Sequence, residues 1–174
     1  WAMLFGDRFI FLPSHDGDWN PEQSPGVRIE EARFAASDGV ALFSWYVRAE
    51  KPRATILFFQ GNAGNLTHRI DMLAELERLD ADVLILGYRG YGKSEGSPSE
   101  AGVYLDVEAA YRWLTEERGV PATSIVIYGE SLGGGPAVEL ASKKPVGGLI
   151  LQSSFTSIGE MANRVIPLFP FRWF

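Results

Sequence analysis

Cysteine is absent from the 174 residues, so the chain has neither a disulfide framework nor a thiolate nucleophile, and thiol usage says nothing about its compartment. Histidine is nearly as scarce. His15 and His68 are the only two, and they lie too far apart to form a metal-ligand pattern. No stretch approaches the roughly 20 apolar residues of a spanning helix. A basic excess is missing too: 16 Lys and Arg against 22 Asp and Glu leave a formal net charge of −6, which gives nucleic acid no electrostatic support. What remains is apolar. A hydrophobic content of 46% argues against disorder and for one globular domain over residues 1–174. The sequence opens at Trp1 without a methionine and closes on an aromatic tail, Ile166-Pro167-Leu168-Phe169-Pro170-Phe171-Arg172-Trp173-Phe174. Both ends read as cuts, with any membrane association assigned to residues ahead of Trp1 and a cap segment starting near residue 155.

Patterning predicts an α/β chain. Residues 27–35 and 40–48 read as two strands of an antiparallel hairpin around Ser37-Asp38-Gly39. Residues 54–59, 82–86 and 124–128 are almost continuously apolar, as strands buried on both faces must be. Helices should lie between them. Ile70, Leu73, Leu76 and Leu79 form one core-facing stripe at helical spacing, and Tyr104, Val107, Tyr111 and Leu114 form another. The second helix has start signals in Ser97 as cap, Pro98 at the first position and Glu100 completing a capping box. A helix over about 132–143 then leads to a strand at 148–152. The expected architecture is a mainly parallel sheet with helices on both faces and an N-terminal antiparallel hairpin.

Gly129-Glu130-Ser131-Leu132-Gly133 falls where the third apolar strand gives way to a helix. A GxSxG pattern in that context predicts a nucleophile elbow, a strained turn that exposes Ser131, with Gly129 and Gly133 small enough for strand and helix to approach. Acyl transfer also needs donors for a developing oxyanion. One is expected from the N–H of Leu132. The second is assigned to Asn62, in the loop Gln60-Gly61-Asn62-Ala63-Gly64-Asn65 that follows the strand 54–59 and opens a helix.

These segments, together with Tyr88-Arg89-Gly90-Tyr91-Gly92-Lys93-Ser94-Glu95-Gly96 and Ser153-Ser154-Phe155-Thr156-Ser157, stand in the order and at the spacing of α/β-hydrolase superfamily serine hydrolases. The chain most resembles the branch that includes the bud-emergence-type hydrolases and the acyl-protein thioesterases, or depalmitoylases. The resemblance implies a C-terminally incomplete α/β-hydrolase core that acts on carboxylic esters or thioesters, on small-molecule or acylated-protein substrates, without a cofactor. Gln60 departs from the family, which usually has histidine there. Pro136 also departs, although the first turn of a helix tolerates the lost donor.

The family order is Ser, then an acid, then His. After Ser131 only Glu139 and Glu160 are acidic, no histidine follows, and Gln152 occupies a position where some hydrolases carry the acid. Glu139 lies two turns into the helix after the elbow, away from where a triad acid belongs. The acid and base are therefore expected outside these residues, with His15 and His68 in capping or solvent-exposed roles. A catalytically inactive binding module is the alternative that sequence leaves open. A second rival is a phosphate cradle in Gly87-Tyr88-Arg89-Gly90-Tyr91-Gly92-Lys93-Ser94, which matches GxxxxGK[ST] after a strand. Gly96 and Pro98 argue against it by delaying the helix that would face the phosphate.

Overall fold

The computed structural model describes residues 11–19 and 28–154. Two sequence assignments, Glu160 and the segment from 155 onward, lie outside the described residues, as does position 27 of the first strand. Six strands form one sheet: β1 Ile29–Ala35, β2 Ala41–Val47, β3 Ala54–Phe59, β4 Ala81–Ile85, β5 Ile125–Glu130 and β6 Gly148–Gln152. Their spatial order is β1-β2-β4-β3-β5-β6. The β1/β2 and β2/β4 pairs are antiparallel, whereas β4/β3, β3/β5 and β5/β6 are parallel. The helices are α1 Ile70–Glu77, α2 Glu100–Arg112 and α3 Gly134–Lys143. No helix among the described residues is long and apolar enough to cross a membrane.

Apolar residues on both sides of the central strands divide the core in two. Leu57 and Phe59 of β3, with Leu84 of β4, join Val103 and Val107 of α2 and Ala137 and Leu140 of α3 in one cluster. Ile56 and Phe58, with Val83 and Ile85, join Leu73 of α1 in the other. Successive side chains of a strand point to opposite faces, so an uninterrupted apolar run fills two layers. β1 is different, because it borders the sheet. Its Glu30, Glu31 and Arg33 remain outside the core, and charge on an edge strand discourages pairing with other chains.

Three expectations are corrected. Leu79 is not a core residue: α1 ends at Glu77, and Leu79 is 67% exposed in the turn to β4. With β4 starting at Ala81, the chain reverses through Asp80 at φ 54°, which carries Leu79 out of the helical register. Ser97 does not cap α2, nor is Pro98 its first residue. Ser99, in extended backbone, caps it by accepting from the Gly102 N–H at 3.1 Å. Proline disfavours helical geometry in the residue before it, so Ser97 stays outside and Glu100 becomes the first helical residue. β5 also runs past Tyr128, because Gly129 pairs with both Phe59 and Leu151.

One buried charge group ties the hairpin turn to α2. Asp106 is fully buried and accepts from the Arg89 N–H at 2.8 Å and from Arg89 Nε at 2.9 Å. The guanidinium reaches on to Asp38, with Nη1 at 2.7 Å and Nη2 at 3.2 Å. Burial raises the pKa of Asp106, and the hydrogen bonds and charge of Arg89 reverse only part of that shift. Removing one partner of such a group strands the other charge. Asp106→Ala is therefore expected to cost about 3–5 kcal/mol, read as a lower urea midpoint. An unchanged midpoint would show that Asp38 alone satisfies Arg89.

Candidate active site

β5 delivers Ser131 into a left-handed backbone conformation, φ 52°, at the start of the short 3-10 turn Ser131–Gly133 that leads into α3. A non-glycine residue there pays strain on the order of 1–3 kcal/mol, which the surroundings must impose. They do so by close approach. A Cβ at Gly129 would lie 2.7 Å from the Gly133 carbonyl oxygen and 2.8 Å from Ala137 Cβ, and one at Gly133 would lie 2.1 Å from the Phe59 oxygen. Strand, turn and helix can meet only because both positions lack a side chain. Pro136 falls in the first turn of α3 and is buried there.

Phe59 is the register partner of Gly129, so the loop 60–65 leaves β3 beside the elbow. A Cβ at Gly61 would come within 3.4 Å of Ser131 Cβ. The structure therefore gathers Ser131, Leu132 and the 60–65 loop at the carboxyl ends of β3 and β5. The chain goes from β3 to β4 on one side and from β4 across to β5 on the other, and in open α/β sheets ligands bind at such a switch point. Asn62 is half-buried, and its Oδ1 accepts from the Tyr91 hydroxyl at 2.7 Å and from the Leu12 N–H at 2.8 Å. Gln60 is fully buried. Its carbonyl accepts from the Tyr88 hydroxyl at 3.0 Å, while its side-chain amide has no hydrogen-bond partner among the described residues.

Sequence reasoning overlooked a charged clamp across this junction. Glu130 Oε2 lies 3.4 Å from the Gly61 N–H and 3.3 Å from Arg69 Nε, the latter an ion pair without hydrogen-bond alignment. Arg69 Nη2 also donates to the Ala63 carbonyl at 3.2 Å. A carboxylate beside an oxyanion site would oppose negative charge, and the guanidinium offsets it. Glu130 stands inside the GxSxG pattern, but nothing in the sequence pairs it with a cation 61 residues earlier.

The histidines are engaged elsewhere. His68 Nδ1 accepts from the Asn65 N–H at 3.2 Å, half of a capping box in which Asn65 Oδ1 accepts from the Thr67 N–H at 2.9 Å. His15 Nδ1 lies 2.9 Å from the Gly92 carbonyl oxygen. Glu139 pairs with Lys143 along α3, and Gln152 accepts from the Tyr128 hydroxyl. Among the described residues no hydrogen bond joins a histidine or a carboxylate to Ser131. The phosphate-cradle reading fails on geometry, since no helix begins at Lys93-Ser94. Ser94 is buried, accepting from the Phe43 N–H at 2.9 Å and donating to the Gly87 carbonyl at 2.8 Å.

Comparison with known proteins identifies the family and the fold. The profile of a family described as alpha/beta hydrolase fold matches residues 54–173. The alpha/beta hydrolase domain-containing protein WAV2 of Arabidopsis thaliana is 41% identical over 181 residues, covering 99% of this chain and 58% of its own length. Protein bem46 of Schizosaccharomyces pombe is 41% identical over 147 residues, covering 81% and 49%. The Pyrococcus furiosus esterase Pf2001 superposes with a TM-score of 0.75 at 21% identity, over 90% of this chain and 63% of the esterase, a likeness of fold alone. The chain belongs to the alpha/beta hydrolase family, in its bem46-like branch. It spans about half the length of the curated relatives it matches.

Strain at residue 131 is measurable without any substrate. Ser131→Gly is expected to be more stable than Ser131→Ala by about 1 kcal/mol, since relief of roughly 1–3 kcal/mol outweighs about 0.5–1 kcal/mol of added chain entropy. Equal thermal midpoints for the two variants would mean that the bend is unstrained.

Proposed function

We propose that this chain is the nucleophile-bearing core of a serine hydrolase that cleaves carboxylic esters or thioesters through an acyl-enzyme on Ser131. The observation that carries the reading is the left-handed Ser131 at the end of β5, with the 60–65 loop beside it. In this reading Ser131 Oγ attacks the acyl carbonyl, and its proton passes to a histidine supplied, with its acid partner, from outside these 174 residues. The oxyanion is held by the N–H groups of Leu132 and Asn62. The alcohol or thiol leaves with the proton, and water then releases the acid from Ser131. Each oxyanion donor is worth about 3–4 kcal/mol in the transition state, because it is already aimed where charge develops. No step calls for a cofactor. Resemblance to the thioesterase branch supports a small-molecule or acylated-protein substrate.

Without its base, serine is a weak nucleophile, so the isolated 174-residue chain is expected to turn over on the order of 10⁶-fold more slowly than the full-length enzyme. Full-length protein should be labelled by a fluorophosphonate at Ser131, and Ser131→Ala should abolish both labelling and p-nitrophenyl ester hydrolysis. Label mapped to another residue overturns the assignment. Full-length protein that resists the probe is instead a binding module with the family's fold.

A further inference from the structure

Residues 11–19 form no helix or strand, yet both ends of the segment are embedded. Phe11 is buried in the cluster beneath α2 and α3. Trp19 packs on the opposite cluster, edge-on to Phe43 and Trp45 with ring centroids 5.7 and 5.9 Å apart. The segment thus passes from one face of the sheet to the other, across the loops at the carboxyl ends of β3 and β4. Close contact is built in: a Cβ at Gly17 would lie 2.0 Å from Thr67 Oγ1.

Anchoring by two aromatic rings would suffice for packing, but the middle of this strap is polar and is spent on the same two loops. The Leu12 N–H is shared between Asn62 Oδ1 at 2.8 Å and the Tyr91 hydroxyl oxygen at 3.1 Å, and that hydroxyl itself donates to Asn62 Oδ1. The Ser14 carbonyl accepts from Asn65 Nδ2 at 3.1 Å and from the Gly92 N–H at 2.9 Å. The Asp16 carbonyl accepts from Asn65 Nδ2 at 2.7 Å. A side-chain oxygen that accepts from two donors has both lone pairs directed, which restricts rotation of the side chain and of the backbone carrying it. Burial pushes the Tyr91 phenol up to about 12, so it stays a donor above the range where a free tyrosine ionises.

We infer that the strap 11–19 is a positioning element of the oxyanion hole, holding Asn62 by its side-chain oxygen so that the backbone N–H of that residue is preset for the carbonyl attacked by Ser131. This rests on the ester or thioester reading above. Preorganisation is what makes such a donor effective, since a loop that had to reorient during reaction would lose much of its benefit. Leu12 and Tyr91 therefore act through Asn62 and touch no reacting atom.

Two variants disrupt this three-bond group from its two sides. Leu12→Pro deletes the N–H while keeping an apolar residue, and Tyr91→Phe deletes the hydroxyl. Each is measured in full-length enzyme by kcat and KM for p-nitrophenyl butyrate and by Ki for an alkyl boronic acid, whose tetrahedral adduct on serine occupies the oxyanion site. Each variant is expected to lower kcat about tenfold, with KM changed by less than about twofold and boronate Ki raised in step with the loss, a part of the roughly 10²–10³ that a whole donor supplies. Wild-type kcat and Ki in a variant whose thermal midpoint has dropped would make the strap mere packing and overturn the inference. If Leu12→Pro fails to fold, Tyr91→Phe decides alone by the same readouts. Fluorophosphonate labelling of the unmodified enzyme separates the two readings. Labelled enzyme with kinetically silent variants removes only the strap's role, whereas unlabelled enzyme removes the hydrolase reading and the strap's role together.

Discussion

The carboxyl edge of the sheet depends on one backbone conformation, the left-handed turn at Ser131. Nothing local favours it, because a serine has easier places in φ/ψ space. It is imposed by β5, held in register between β3 and β6, and by α3, which must start three residues later. The glycines at 129 and 133 let β5, the turn and the end of β3 come closer than any side chain would allow. The serine is held half-buried and the neighbouring loop brought alongside by one set of contacts. Strain thus falls on the residue proposed as the nucleophile, as happens where a fold over-determines one position.

Around that turn, polar groups hold the loops that regular structure does not reach. Arg69 and Glu130 join the loop after β3 to the end of β5, while Tyr91 and Leu12 meet at Asn62. These contacts come from residues distant in sequence, and they converge because the strand order brings the β3 and β5 termini together. The aromatic residues at the two ends of the strap extend the arrangement into both halves of the core. The fold of this region is consequently that of its loops as much as of its sheet.

How far the sequence discloses this depends on the range of the interaction. β3 and β6 are legible to the residue, since each is an apolar run bounded by a change of composition. The elbow is legible because GxSxG is local and its strand and helix flank it directly. His68 as a capping residue is legible for the same reason. Leu79 misleads, because a helical stripe continues in sequence after the helix has had to stop. The cap of α2 is misplaced by two residues, since Ser97 and Ser99 have similar propensities and only the proline between them decides. Gly129 reads as part of the turn after a strand that ends at Tyr128, yet its backbone pairs on both sides within the sheet. The Arg89 group, the Arg69–Glu130 clamp and the strap leave no pattern at all, because each joins partners that meet only in three dimensions.

Burying Arg89 between two carboxylates also governs how the turn at 88–96 can move. Its side chain is only 7% exposed, and releasing it would bare Asp106 at the same moment, so small excursions are penalised as heavily as large ones. Such a segment behaves as a fixed cliff rather than a hinged door. Plasticity at this edge of the sheet is left to parts of the chain that carry no interior counter-ion.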